Sequence, residues 1–422
     1  MKILEVLKER QVDPSVPDIK AHFQHLICEP LQSALHSLPR YPVFVIDAVD
    51  ECATKHRRML LETLKRWAEL PRQFKVLVTS RDYHDIATSL RSISVNHALC
   101  TGDLVDSNSS NDIRIYLSAH LHHIATSVEY EEISPPDWPG PGVIEQLMKC
   151  AAGLFIWVAT VIKIFEDDNE DPQWQLSLIL TNSSLSNIDK LYSQILESAF
   201  GQSSSCHIPM FKLIVGGILA AKIPLSRSDL VSFLGLSEKD TLPALIIRKL
   251  RPVISSDTSD GCLQVSHQSF ADFICDRARC PMEYVIDCKP PNYMFATGCL
   301  QVMNHPTTGL QFDMCKFPSS YLPNHAIPGL QELVKTRISG RLTYSCCFWM
   351  DHIHASSIDG VLLQELWQFT RNKLLYWIEA LSLTKNFSIA FPTLQLLAQE
   401  CKVCTLDLNS TEQSSDEYDS DH

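Results

Sequence analysis

At 422 residues the chain exceeds one ordinary core, and roughly 100–200 residues per domain predicts two to four domains. Hydrophobic residues at 45%, charged residues at 20%, 14 Gly and 23 Pro exclude a largely disordered, collagen-like or low-complexity chain. A formal net charge of -13 weighs against a protein that coats nucleic acid, because phosphate binding needs a basic surface.

The first ten residues, Met1 to Arg10, are charged and amphipathic rather than a signal peptide. Residues 1–40 read as two helices, the second with Ile19, Phe23, Leu26, Ile27, Leu31 and Leu35 at three- and four-residue spacing. Val43-Phe-Val-Ile46 is a continuous apolar run, which predicts a strand buried on both faces. Residues 54–70 predict a helix with Met59, Leu60, Leu64 and Trp67 on one side, and Lys75-Val-Leu-Val-Thr79 predicts a second strand. Strand, helix, strand at this spacing is a βαβ unit, so the two strands are expected to be parallel with a right-handed crossover.

From Asp112 the pattern turns helical: Ile113–Ile124, Val143–Phe165 and Leu176–Phe200, with loops around Pro135–Pro141 and Glu166–Asp171. Residues 208–222 predict an apolar helix. Ser226 suits an N-cap for Asp229–Leu234, and Ser237 one for a helix from Thr241 to Leu250. Val253–Ser256 and Cys262–Ser266, joined at Asp260-Gly261, read as a hairpin, and three helices followed by a hairpin is a winged-helix pattern. Residues 290–404 are helical again, clearest at Val361–Leu381 and Phe391–Glu400. The polar, acidic last eighteen residues are expected to be disordered and modifiable.

The fifteen cysteines are odd in number, scattered, and often inside apolar runs (Cys150, Cys275, Cys299), so buried thiols in a reducing compartment are expected. Cys401-Lys-Val-Cys404 is a lone CxxC, Cys346-Cys347 is too close to chelate, and His120, His122 and His123 fit one exposed helix face better than a metal site. The longest apolar run, Ala151–Ile162, is too short for the roughly 20 residues of a membrane span. No metal site of the zinc type and no membrane association are expected, and a cytoplasmic location is.

Chemistry concentrates in Val43-Phe-Val-Ile-Asp47-Ala-Val-Asp50-Glu51, where an apolar strand ends in three carboxylates. Ligands of parallel α/β sheets sit beyond the carboxyl ends of the strands. Asp47 can hold a Mg²⁺ that bridges nucleotide phosphates while a neighbouring acid orients water. The next strand ends in Thr79-Ser80-Arg81, which brings a fixed cation to the same edge, suited to a γ-phosphate.

Val45-Ile-Asp-Ala-Val-Asp-Glu-Cys52 followed by Val76-Leu-Val-Thr-Ser-Arg81 resembles the Walker B and sensor I segments of NACHT-type signalling NTPases, in particular the fungal group with a nephrocystin-like core. Asp112–Leu117, Ala151–Thr160 and Leu191–Glu197 resemble its helical domain, Pro224–Leu230 and Val265–Ile274 its winged helix, and Cys346–His352 the helical segment beyond. The resemblance implies an α/β P-loop-NTPase-like partial core with a parallel sheet, followed by mainly α-helical domains including a winged helix. The corresponding segments are 1–100 (partial core), 101–205 (helical), 206–288 (winged helix), 289–404 (C-terminal helical) and 405–422 (acidic tail). It further implies a nucleotide switch of the STAND class, closed with ADP and opened by ATP to oligomerise. Asp47 would take the Mg²⁺ role, Asp50 or Glu51 would position water, Arg81 would be the sensor, and His267 would touch the β-phosphate in the closed state. Partners would be other NACHT-family chains or the chain itself, not DNA.

One feature of the family is missing. The phosphate loop G-x-x-x-x-G-K-[ST] cradles phosphates with backbone N–H groups and a lysine, yet none of the fourteen glycines precedes a lysine. The chain is therefore expected to begin inside the NACHT core, to lack a C-terminal WD-repeat region, and to have no ATPase activity alone. Two other readings are a fragment of an active NTPase whose loop is encoded upstream, and a DNA-binding winged-helix protein using Arg248, Lys249 and Arg251.

Overall fold

Side-chain alternation decides how the first unit is built. In the computed structural model, residues 19–34, 40–52, 54–67, 70–71, 73–91, 107–126, 138–140, 142–166, 171–181, 187–201, 207–256, 261–317, 324 and 327–400 are described. The chain divides into two units, Met1–Asp103 and Leu104–His422.

In the first unit, β1 (Val43–Ile46) pairs in parallel with β2 (Lys75–Val78), and Val43 lies opposite Lys75 and Ile46 opposite Val78. Between them runs α2 (Thr54–Trp67), so the strand–helix–strand reading and its parallel pairing hold. Helix α1 spans residues 19–34 and contains a π-helical stretch at Phe23–Cys28; α3 is His84–Arg91. Phe44 and Val76 pack on Phe23, Trp67 and Phe74, while Ile46 and Val78 pack on Leu61, Leu64 and Ile86. The expectation of a strand buried on both faces is overturned. Val43 and Val45 are 61% and 63% exposed and Leu77 is 55% exposed, because among the described residues helices cover one face of this two-stranded sheet only. Side chains alternate across a strand, so covering one face leaves every second residue bare.

The second unit is mostly helical. Where an unbroken helix Val143–Phe165 is expected, the chain forms α5 (Val143–Ala151) and α6 (Phe155–Phe165), following α4 (Ser107–Ala125). The break is a left-handed stop: Ala152 has φ 47° and Gly153 φ 82°, and the Ala152 N–H closes on the Met148 carbonyl. Likewise Leu176–Phe200 is two helices, α7 (Pro172–Thr181) and α8 (Ile188–Phe200), the latter capped by the Asn187 side chain.

Next come α9 (His207–Ala220), β3 (Leu225–Ser226), α10 (Arg227–Phe233), α11 (Leu242–Lys249), β4 (Ile254–Ser255) and β5 (Cys262–Val265). The hairpin pairs β4 with β5 antiparallel, and β5 also takes β3 on its other edge, giving the order β3-β5-β4. Ser226 caps α10 as expected, accepting from the Asp229 N–H at 3.1 Å. Ser237 does not cap α11. It closes a turn on Lys239, and Asp240 accepts from the Leu242 N–H instead, at 3.1 Å. Gly216 and Gly217 bring α9 close to its neighbours, since a Cβ at Gly216 would meet Pro291 Cγ at 2.7 Å and one at Gly217 would meet Leu234 Cδ1 at 2.9 Å.

The remaining helices are α12 (Gln268–Cys275), α13 (Lys289–Asn304), α14 (Leu330–Arg337), α15 (Gly340–His354), α16 (Gly360–Asn372), α17 (Leu374–Leu383) and α18 (390–400). The expected Val361–Leu381 helix is broken at Lys373. Helix α13 packs along α15 and α16. One buried cluster runs from Ile113 to Ala390, with Trp157, Trp349 and Trp377 fully enclosed. Of the thiols expected inside, Cys299 is buried, Cys150 half-buried and Cys275 exposed. No described helix is long and apolar enough to cross a membrane. The acidic tail and the first predicted helix lie outside the described residues.

Candidate functional site

The ends of β1 and β2 form the site, and a threonine joins them. The Thr79 N–H donates to the Ile46 carbonyl and the Val49 N–H to the Thr79 carbonyl, both at 3.0 Å. The Thr79 hydroxyl accepts from the Ala48 N–H at 2.8 Å and donates to the Asp47 carboxylate. These bonds hold Ala48 in the left-handed region (φ 51°), which costs about 1 kcal/mol for a residue with a Cβ. The chain therefore turns sharply after Asp47 into a single 3₁₀ turn, Val49–Glu51, with Val49 buried and Glu51 exposed.

Asp50 faces the other way. Its carboxylate accepts from the Arg81 N–H at 3.1 Å and from Arg81 Nε at 2.6 Å. The Asp50 side chain is 4% exposed and that of Arg81 47%. Burial, the largest single influence, acts to raise the Asp50 carboxyl; the side-chain and backbone hydrogen bonds and the charge of Arg81 together outweigh it and hold it below its ordinary value. Arg57 of α2 secures the turn from outside, donating Nη1 to the Asp50 carbonyl at 3.0 Å and Nε to Asp85 at 3.0 Å. Both guanidiniums sit over the Tyr83 ring, at 5.5 Å for Arg57 and 5.6 Å for Arg81.

Of the residues singled out in the sequence, Asp47, Asp50, Glu51 and Arg81 thus gather at one sheet edge. Asp50 and Arg81 bind each other. Sequence reasoning missed Thr79, Arg57 and Tyr83. Thr79 carried a signal, a hydroxyl directly after a strand, but Arg57 and Tyr83 are set by tertiary packing.

A Mg²⁺ fits here only in part. Among the described residues no three His, Cys, Asp or Glu side chains converge on one point. Asp47 offers one exposed carboxylate, beside the Thr79 hydroxyl. Mg²⁺ is commonly held by one or two carboxylates, waters and substrate phosphates, so the donor set suits an ion brought by a nucleotide and not a resident one.

His267 belongs to the second unit. It is the N-cap of α12, and its Nδ1 accepts from the Ser269 N–H at 3.1 Å. The Ser269 hydroxyl lies 2.8 Å from that nitrogen and 2.8 Å from the Tyr192 hydroxyl. Accepting at Nδ1 leaves the proton of the neutral ring on Nε2, and the side chain is exposed. His267→Ala should loosen the start of α12 by about 1 kcal/mol, whereas His267→Asn should keep the cap. Amide exchange over residues 268–275 reads this, and equal protection in both variants would count against capping.

The model of the family described as "Nephrocystin 3, N-terminal" matches residues 2–81, a span that ends on Arg81. The chain is also similar to the vegetative incompatibility protein HET-E-1 of Podospora anserina, 24% identical over 381 residues. The chain is a NACHT-family relative. The similarity to HET-E-1 covers 85% of the chain and 27% of that protein, so this NACHT relative spans about a quarter of its length. No solved structure matches.

Proposed function

We propose that the chain is a regulatory NACHT/STAND-type signalling protein that works through protein–protein contact, with a nucleotide site reduced to its metal and sensor edge. The observation that carries this reading is the double clamp at the strand ends, Thr79 on Asp47 and Arg81 on Asp50. In this reading Asp47 contributes to a Mg²⁺ that arrives with ATP or ADP. When bound, that ion would neutralise phosphate charge. Asp50 is spent on Arg81, so water positioning, where a phosphate loop is supplied, falls to the exposed Glu51. Arg81 is the sensor, held at the edge by Asp50. His267 offers an outward Nε2–H to a β-phosphate in a closed state.

The segment from α9 to β5 supports a winged helix: its order is helix, strand, two helices, two strands, and its sheet order is β3-β5-β4. DNA binding is less favoured. Lys249 gives its ammonium to the Ala199 carbonyl and sits 5.7 Å from the Phe200 ring, which removes one of the three cations of that reading. The name of the Podospora relative, a vegetative incompatibility protein, supports a signalling role, with NACHT-family chains or a second copy as partners. The bare apolar side chains Val43, Val45 and Leu77 are a surface of the kind protein partners cover.

Calorimetry with ATP or ADP and Mg²⁺ tests the reading. These 422 residues contain no Gly-Lys-[Ser/Thr] string, so most hydrogen bonds of a phosphate cradle are missing and binding should be weak or undetectable. Micromolar affinity abolished by Asp47→Ala would replace this reading with that of an active NTPase.

A further inference from the structure

A second site lies wholly inside the helical unit. Helices α7 and α8, the end of α6 and the residues closing α11 enclose a half-open cavity of about 270 Å³. Its walls are apolar, with Ile164, Leu178, Ile179 and Ile195 among them, and Trp174, 49% exposed, stands at its side. That volume is near the small end of the ligand-pocket range.

Five polar residues break the apolar lining, Gln175, Gln194, Ser198, Arg248 and Lys249, and three of them bear on a ligand. Gln175 is 5% exposed, and its Oε1 is buried without a hydrogen-bond partner. Gln194 Oε1 is buried and unpartnered as well. Both side chains line this cavity. An unsatisfied buried acceptor costs about 1–3 kcal/mol, and two around one cavity are a standing demand for donors. Neither oxygen is exposed as it stands, and because the last torsion of a glutamine is soft, a ligand can be met by rotation of either amide. Arg248 also lines the site, is exposed, and has no ion-pair partner among the described residues. Lys249 beside it is already engaged with the Ala199 carbonyl.

The geometry points to a binding site for a small apolar carboxylate that carries an N–H donor. Its body fills the apolar walls against Trp174, its N–H meets a glutamine oxygen, and its carboxylate pairs with Arg248. This site shares no residue with the strand-end clamp and does not depend on nucleotide.

Three probes separate these contacts on the full chain, by calorimetry and ligand-observed NMR. Indole-3-acetate has ring, N–H and carboxylate; indole-3-acetamide lacks the charge; 1-naphthaleneacetate lacks the N–H. Saturable one-site binding is expected for indole-3-acetate, with each of the other two at least tenfold weaker. Arg248→Ala should remove the difference between acid and amide. Gln175→Leu with Gln194→Leu should remove that between indole and naphthalene. Ser198→Trp, at an exposed lining position, should block all three, and its circular dichroism establishes that it is folded. No saturable binding at millimolar probe, equal affinity for the three, or binding that survives Ser198→Trp would overturn the proposal.

Discussion

Replacing Arg81 with alanine should loosen the β1 and β2 ends by about 2 kcal/mol, as expected when a buried carboxylate loses charged hydrogen bonds and its partner is half-exposed. The cost falls on Asp50, which is 4% exposed and keeps only backbone donors, those of residues 81 and 50. Arg81→Ala with Asp50→Ala should recover part of the loss, because no stranded charge remains. The pH dependence carries the sign. In the wild-type chain the Asp50 carboxyl is held below its ordinary value, so its contribution is present above about pH 4 and is lost as pH falls through the lower folded value. Without the guanidinium, burial is opposed by backbone hydrogen bonds alone, so the carboxyl moves up relative to the wild type. The deficit of Arg81→Ala should therefore be largest near neutral pH and shrink towards pH 4. Amide exchange of residues 43–51 and 75–81 measures it, and unchanged exchange at pH 7 would mean that the pair contributes nothing.

Much of this unit was legible in the sequence for a physical reason. Val43–Ile46 and Lys75–Val78 are β-rich runs ended by charge, and the intervening helix is long enough to cross the sheet and make the pair parallel. The gathering of Asp47, Asp50, Glu51 and Arg81 followed from strand ends alone. Their pairing did not, because Asp50 meets Arg81 across 31 residues through a turn fixed by Thr79. The exposure of Val45 was hidden too, since an apolar run does not say how many layers cover it. Elsewhere the errors have separate causes. Ala152 breaks a helix between apolar flanks, and Lys373 follows the polar run Thr370-Arg371-Asn372, which fits an exposed helix face, so periodicity ran straight through both. Strand β3 is two residues long, too short to show any period. The cavity beside α7 and α8 could not be foreseen, because Gln175 and Gln194 look like surface residues until their helices turn them inward.

The second large effect should appear on acidification of the helical unit, through His352. This residue is fully buried on α15, and its ring stacks 4.8 Å from that of Phe295. Asn292 donates its amide to the Cys288 carbonyl at 2.8 Å, so its oxygen accepts from His352 Nδ1, also at 2.8 Å. The Tyr344 hydroxyl accepts from the Lys222 N–H at 3.2 Å and donates to His352 Nε2 at 2.9 Å. Both ring nitrogens are thus satisfied only in the neutral form. Burial, and secondarily the charge of Lys222, push the imidazole down to about 3. An unfolded histidine takes its proton near pH 6.5, so stability is complete above that value and declines as pH falls towards the folded one, by about 1.4 kcal/mol per unit. Between pH 7 and pH 5 the loss should reach about 2 kcal/mol. Asp351 next to it complicates the total, since burial raises its carboxyl and works in the opposite sense. His352→Gln removes that ambiguity: glutamine keeps one donor and one acceptor, does not titrate, and leaves Asp351 in position. Exchange of the α15 amides at pH 7, 6 and 5 should show the wild type losing protection relative to His352→Gln as pH falls. Parallel curves for the two would mean that the buried ring takes up its proton as readily folded as unfolded, and the Tyr344–His352–Asn292 chain would then not be the neutral arrangement derived above.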